Sequence, residues 1–138
     1  MEFNLIIYSA AFNVILTLYL YERSRKMTVK AYYDKEIDKT YPRLYRGSAP
    51  DYLEIYRQTL KNQFELPIIF YLLVSLLAST KLAGWSDVIF AWLFVISRYV
   101  HCYIRLSSNY IPHRSKIFTA GVLLLIGGWI SFLIKLGI

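Results

Sequence analysis

The sequence predicts an all-α fold, an integral membrane four-helix bundle. Three observations carry that expectation. Apolar content is too high for a soluble domain, four apolar segments have membrane-crossing length, and polar residues recur at helical spacing inside two of them. Of the 138 residues, 57% are hydrophobic, above the ~45–50% of ordinary soluble domains. Mean hydropathy is +0.38. A soluble chain this short could not hide so much apolar surface. The length fits one domain, 1–138,.

The first apolar segment spans residues 3–22 and contains Leu5-Ile6-Ile7 and Val14-Ile15-Leu16. It has about the ~20 residues a helix needs to cross a bilayer. Glu2 stands where a secretory signal would carry basic residues, and Tyr-rich sequence follows, so the segment reads as a retained helix,. The second span, 52–80, starts at Pro50-Asp51 and contains Pro67, which predicts a kink,. The third, 85–107, is entered through Gly84-Trp85-Ser86-Asp87. The fourth, 116–137, carries Gly121, Gly127 and Gly128, which permit close helix packing,. Only a short link joins the second span to the third, so these two are expected as antiparallel neighbours. A basic loop, 23–51, separates the first two spans, with room for helical extensions at both ends.

Net charge is +7, and ten of the 16 Lys and Arg lie between Arg23 and Lys61. Such a block beside a membrane span reads as a cytoplasmic loop facing anionic headgroups. Nucleic acid is not an expected partner, because no nucleic-acid motif accompanies the charge. Arg114 and Lys116 put the link between spans three and four on the same side. Lys81 and Asp87 balance in the link between spans two and three. Both termini are therefore expected on the non-cytoplasmic side. Cys102 cannot form an intrachain disulfide alone, and as a small buried hydrophobe it needs no further role. Two His, one Cys and no ligand spacing leave no metal site to expect,.

Polar groups inside the spans are the candidate chemistry. Gln58, Asn62 and Glu65 share one helix face just before the apolar run Ile68-Ile69-Phe70-Tyr71-Leu72,. Arg98, His101 and Arg105 share another, at i, i+3 and i+7. Ionisable groups at this depth are costly unless paired or functional.

Asn62-Gln63-Phe64-Glu65-Leu66-Pro67 resembles the second-helix signature of the MAPEG family, the membrane-associated proteins of eicosanoid and glutathione metabolism. Arg98-Tyr99-Val100-His101 resembles the family's Arg-x-x-His block. Asn109-Tyr110-Ile111-Pro112-His113-Arg114 resembles its third-helix exit, which ends in a functional Arg. The resemblance covers essentially the whole chain and is nearer to bacterial-type members.

It implies a homotrimer, glutathione as co-substrate in a cytoplasm-facing pocket between protomers, and a lipophilic small-molecule substrate. By motif position, Asn62 and Glu65 would contact glutathione, and Arg114 would stabilise its thiolate at the cytoplasmic end of helix three. Arg98 and His101 match the block where the family's site or its support lies. Tyr103 and Tyr110 are candidates to donate a hydrogen bond to the sulfur. One departure stands out: eicosanoid-metabolising members carry Arg four residues before the helix-two Asn, and this chain has Gln58. Arg57 is rotated by about 100° from it on a helix. A glutathione carboxylate contact would then fall to Arg57 or Lys61.

Each of these residues also has a structural reading. Glu65 fits the glutathione amino group, and equally an ion pair with Arg98 or Lys61 between helices. Asn62 fits a ligand or a neighbouring helix, Arg114 a thiolate or an ordinary positive-inside loop. His101 and Arg98 fit contacts inside the bundle. Two functions follow: a glutathione-dependent transferase or peroxidase acting on a lipophilic electrophile, or a non-catalytic lipid-binding or scaffolding protein of the same fold. A small transporter finds no specific support. The absence of a targeting peptide and the bacterial type of the motifs point to a bacterial inner membrane.

Overall fold

The computed structural model describes residues 2–45 and 47–137, and the described residues form helices and links without a strand. In chain order the helices are α1 (Glu2–Tyr33), α2 (Thr40–Leu44), α3 (Asp51–Lys61), a 3₁₀ turn (Asn62–Phe64), α4 (Leu66–Thr80), α5 (Trp85–Leu106) and α6 (Ile111–Leu136). Four units are long and apolar enough to cross a membrane: α1, α3 with α4, α5 and α6.

α1 buries Ile6, Ser9, Asn13, Leu16, Leu20 and Ser24, a stripe stepping by three and four along one face,. Its 32 residues are about 48 Å long at 1.5 Å per residue, well beyond the ~30 Å hydrocarbon core. The residues after Glu22 therefore continue as helix, an extension for which the basic loop left room. Glu22 pairs with Arg25 and Lys26 at 2.9 and 3.4 Å, one turn along, which supports the extension,. There Ala31 packs with Ile37, Tyr41 and Leu53 into a small core that seats α2 on α3. The end of the bundle carrying this cap is the basic end.

The break in the second span lies one turn ahead of Pro67. α3 tightens into the 3₁₀ turn, and Glu65 leaves helical geometry (φ −106°, ψ −99°). α4 restarts with Pro67 in its first turn, where its missing N–H costs no hydrogen bond,. Arg114 also sits elsewhere than expected. α5 stops at Leu106, Asn109 turns left-handed (φ 48°) with its amide bonded to Ile104 O at 2.8 Å, and Pro112 opens α6 at once. Arg114 and Lys116 thus stand on the first turns of α6, not in a loop or at the end of the third span.

α5 is the central helix, packed chiefly on α6 and α1. Phe70 of α4 stacks on Phe94 of α5 with centroids 4.6 Å apart, in a core with Leu73, Leu77, Val95 and Leu125. Asn13 is fully buried and donates to Tyr71 Oη at 3.0 Å, tying α1 to α4. Trp92 and Tyr99, seven apart on α5, donate to the carbonyls of Leu5 and Phe12, seven apart on α1.

Candidate functional site

The polar residues of α3 meet α5 at the basic end. α3 turns Leu53 and Thr59 inward, which leaves Arg57, Gln58 and Lys61 on its outer flank. The helix break at Glu65 places Asn62 and Glu65 beside them. Arg105, on the last turn of α5, reaches across. Its Nη2 donates to Gln58 Oε1 at 2.7 Å. The Asn62 amide, turned as its neighbours demand, accepts from Arg105 Nη1 at 2.9 Å and donates to the Gln58 carbonyl at 3.3 Å. Arg105 is 9% exposed, so these two bonds replace water around a nearly buried guanidinium,.

These side chains line an open pocket of about 610 Å³, together with Tyr45 and Lys61. Arg57 is fixed at its mouth: Nη2 pairs with Glu54 at 3.3 Å, and the guanidinium lies 5.2 Å over the Tyr45 ring. Glu54 in turn accepts from Tyr41 Oη at 2.5 Å. Among the described residues, three cations (Arg57, Lys61, Arg105) and one carboxylate (Glu65) line the space, so its field favours an anion.

Of the residues singled out in the sequence, Arg57, Gln58, Asn62 and Glu65 come together here. Arg98 and His101 do not. They lie deeper, in the seam between α5 and α6. Arg98 is 1% exposed, flanked by Phe94 and Phe118 with its guanidinium 5.4 and 5.2 Å from the ring centres. His101 packs against the same Phe118. Tyr110 is exposed and meets His113 edge-on, outside the pocket lining. Arg114 donates from Nη1 to Asn109 Oδ1 at 2.6 Å and does not line the pocket either. Arg105, the third member of the polar face with Arg98 and His101, enters the pocket although no family motif position marks it. Tyr45 had no signal, since only the tertiary fold brings the cap to α3. Among the described residues no three His, Cys, Asp or Glu side chains cluster as metal ligands.

Four membrane-length helices with a cationic pocket at one end define an integral membrane protein of the helical-bundle class. The pattern of the MAPEG family matches residues 5–134, and the chain belongs to that family. No curated protein and no solved structure gives a match.

Proposed function

We propose that this chain is a membrane-bound glutathione-dependent transferase or peroxidase acting on a lipophilic electrophile. The observation that carries the proposal is the joint lining of one pocket by Arg57, Gln58, Asn62, Glu65 and Arg105. Glutathione brings two carboxylates, an ammonium group, amides and a thiol. Guanidinium groups bind carboxylates with two parallel hydrogen bonds. Glu65 is the one lining group able to pair with the ammonium, and Asn62 offers an amide. The pocket sits where the polar end meets the apolar span. A water-soluble thiol and a bilayer-dissolved electrophile would then arrive from opposite sides.

The reaction needs the thiolate, because the neutral thiol is a poor nucleophile. A free thiol titrates near ~8.5, and a fixed guanidinium beside it lowers that value without losing its own charge. The thiol proton leaves to water, and the sulfur lone pair then forms the new C–S bond. The electrophile's leaving group departs as its anion, or its π bond opens to a carbanion that water protonates. With a lipid hydroperoxide the sulfur attacks the terminal oxygen, the O–O bond breaks and the alcohol leaves. A second glutathione then takes the oxidised sulfur to the disulfide. Arg114 holds the family's motif position for this task, and Arg105 is the α5 cation among the three that line the pocket. The positive-inside rule places the basic end, and so the pocket mouth, in the cytoplasm. Family membership supports a homotrimer with glutathione bound between protomers.

One observation favours a second reading. Arg105 already bonds Gln58 and Asn62 within the chain, with its Nε left without a partner, as it would in a non-catalytic lipid-binding or scaffolding protein. Calorimetry of glutathione binding to the detergent-purified protein separates the two. Under the first reading the wild type binds and Glu65→Gln weakens binding at least tenfold, the loss of one charge-assisted hydrogen bond. Conjugation would collapse in Arg114→Ala or Arg105→Ala, whichever holds the sulfur. Absence of wild-type binding at millimolar glutathione leaves the scaffold reading in place.

A further inference from the structure

α1, α3 and α5 enclose a second groove of about 530 Å³, apart from the polar pocket. Ile15, Leu16 and Leu20 of α1 face Tyr99, Tyr103 and Leu106 of α5 across it. The buried cluster of Leu16, Leu20 and Cys102, with Leu60 and Leu106 packed on it, stands between groove and pocket. Both long walls are membrane-length helices, so the groove opens to hydrocarbon rather than to water,. Its size is that of a small-ligand site.

The basic end of the groove has a different chemistry. Tyr56 lines it there. The Arg23 guanidinium lies 5.9 Å over the Tyr56 ring, and Nη2 makes a long bond of 3.4 Å to the phenol oxygen. Arg23 Nε is buried and has no hydrogen-bond partner, and among the described residues no carboxylate pairs with this side chain. The neighbouring Glu22 is taken by Arg25 and Lys26. Leu16, Leu20 and Arg23 follow at i, i+4 and i+7, so one face of α1 runs from apolar groove to unpaired cation,. Tyr19, Tyr56 and Tyr103 line the groove as well, and aromatic residues of this kind are enriched at the headgroup zone of a bilayer.

We propose that this groove holds an anionic phospholipid, its acyl chain against Leu16, Leu20 and Leu106 and its phosphate on Arg23. The acyl chain gains little by leaving the bilayer, which is as apolar as leucine. Selection therefore comes from the headgroup charge, and the site distinguishes anionic from zwitterionic lipid.

The test places the full chain in nanodiscs of phosphatidylcholine and phosphatidylglycerol with matched acyl chains. Native mass spectrometry then counts the lipids retained on release. Wild type is expected to hold phosphatidylglycerol about fivefold over phosphatidylcholine, the selectivity of one cation at a membrane surface. Arg23→Gln brings that ratio close to unity. Ile15→Trp, a change at an exposed groove residue, fills the groove and lowers retention of both lipids. Lys30→Gln removes a charge from the same helix away from the groove and leaves the ratio unchanged. Equal retention of both lipids by wild type, or the same loss in Lys30→Gln as in Arg23→Gln, overturns the proposal. A benzophenone side chain at position 103 supplies a readout independent of stability. A phospholipid adduct supports the site, whereas cross-linking to a second copy of the chain assigns the groove to a subunit interface instead.

Discussion

Arg105 of α5 donates from Nη2 to the side-chain oxygen of Gln58 on α3 at 2.7 Å. The family resemblance implies an Arg at position 58; Gln58 stands there instead, and a guanidinium from α5 lies one hydrogen bond away. An Arg at position 58 would face Arg105 in a half-dry pocket, and like charges there repel. Gln58→Arg is therefore expected to lower stability by about 1–3 kcal/mol, since it also strips Arg105 of an acceptor. The double variant Gln58→Arg/Arg105→Gln restores the pair in the opposite sense and recovers most of the loss. Thermal unfolding of the four proteins in detergent forms a double-mutant cycle. Simple additivity would show that the two side chains do not share a site.

Gly121 makes the second prediction. A Cβ there would lie 2.7 Å from Ser97 Oγ and inside contact distance of the Arg98 guanidinium. Arg98 is held between Phe94 and Phe118 and cannot swing out to water. Gly121→Ala is expected to force α6 away from α5, at about 1–3 kcal/mol, as for other overpacked cores. Glutathione binding to the proposed pocket is expected to stay within about twofold, because Arg98 lies outside it. A large loss of binding with unchanged melting temperature would return Arg98 to the site.

The four spans were legible in the sequence because a bilayer demands long apolar runs and this chain has four. The nearness of Gln58 and Asn62 was legible because helical spacing puts them on one face, whereas Glu65 joins them through the break in the helix and not through regular spacing. A helical extension of the first span was anticipated, but its reach to Tyr33 was not legible, because polar residues in a helix and in a loop look alike to hydropathy. The Glu22 pairs with Arg25 and Lys26, one turn on, are the local signal that distinguishes them. The break at Glu65 escaped for another reason. Proline marks where a helix is disturbed, but the chain takes up the disturbance one turn earlier, leaving Pro67 in a first turn where it fits. Arg105 and Tyr45 join the pocket only through contacts between elements distant in sequence, which no spacing rule reports.

Tyr41 sets a pH dependence on the cap. Its ring is buried under α1 and α3, and its hydroxyl donates to Glu54. Burial first, and the Glu54 carboxylate second, raise its pKa from 10.0 to about 12. A raised acid pKa means the fold prefers the neutral phenol. That contribution is fully present below the unfolded value of 10.0 and is lost as pH climbs through about 12,. Wild type should therefore lose stability relative to Tyr41→Phe across that window, while the difference between them is constant at lower pH. Hydrogen exchange of residues 31–54, compared between the two proteins on either side of the window, checks it. A parallel pH response in both would remove Tyr41 as the cause.

At the opposite end of the bundle, Asp87 ties α5 to α6, and its geometry predicts an asymmetry. The carboxylate accepts from Ser131 Oγ at 2.8 Å, from the Gly84 amide at 2.8 Å as a helix cap, and from Lys135 Nζ. The Asp87 side chain is fully buried, whereas that of Lys135 keeps 29% of its surface in contact with solvent. Removing either member breaks the pair, but the charges left behind differ. After Asp87→Asn the ammonium can still turn to water, and the amide keeps a carbonyl for the Gly84 cap. After Lys135→Met the carboxylate stays inside with two neutral donors and no counter-charge. Stranding a buried charge costs about 3–5 kcal/mol, so Lys135→Met is expected to destabilise more than Asp87→Asn despite changing the more exposed residue. Melting temperatures in one detergent rank the two directly. The reverse order would mean that the Gly84 and Ser131 bonds, not the ion pair, hold this end of the bundle together.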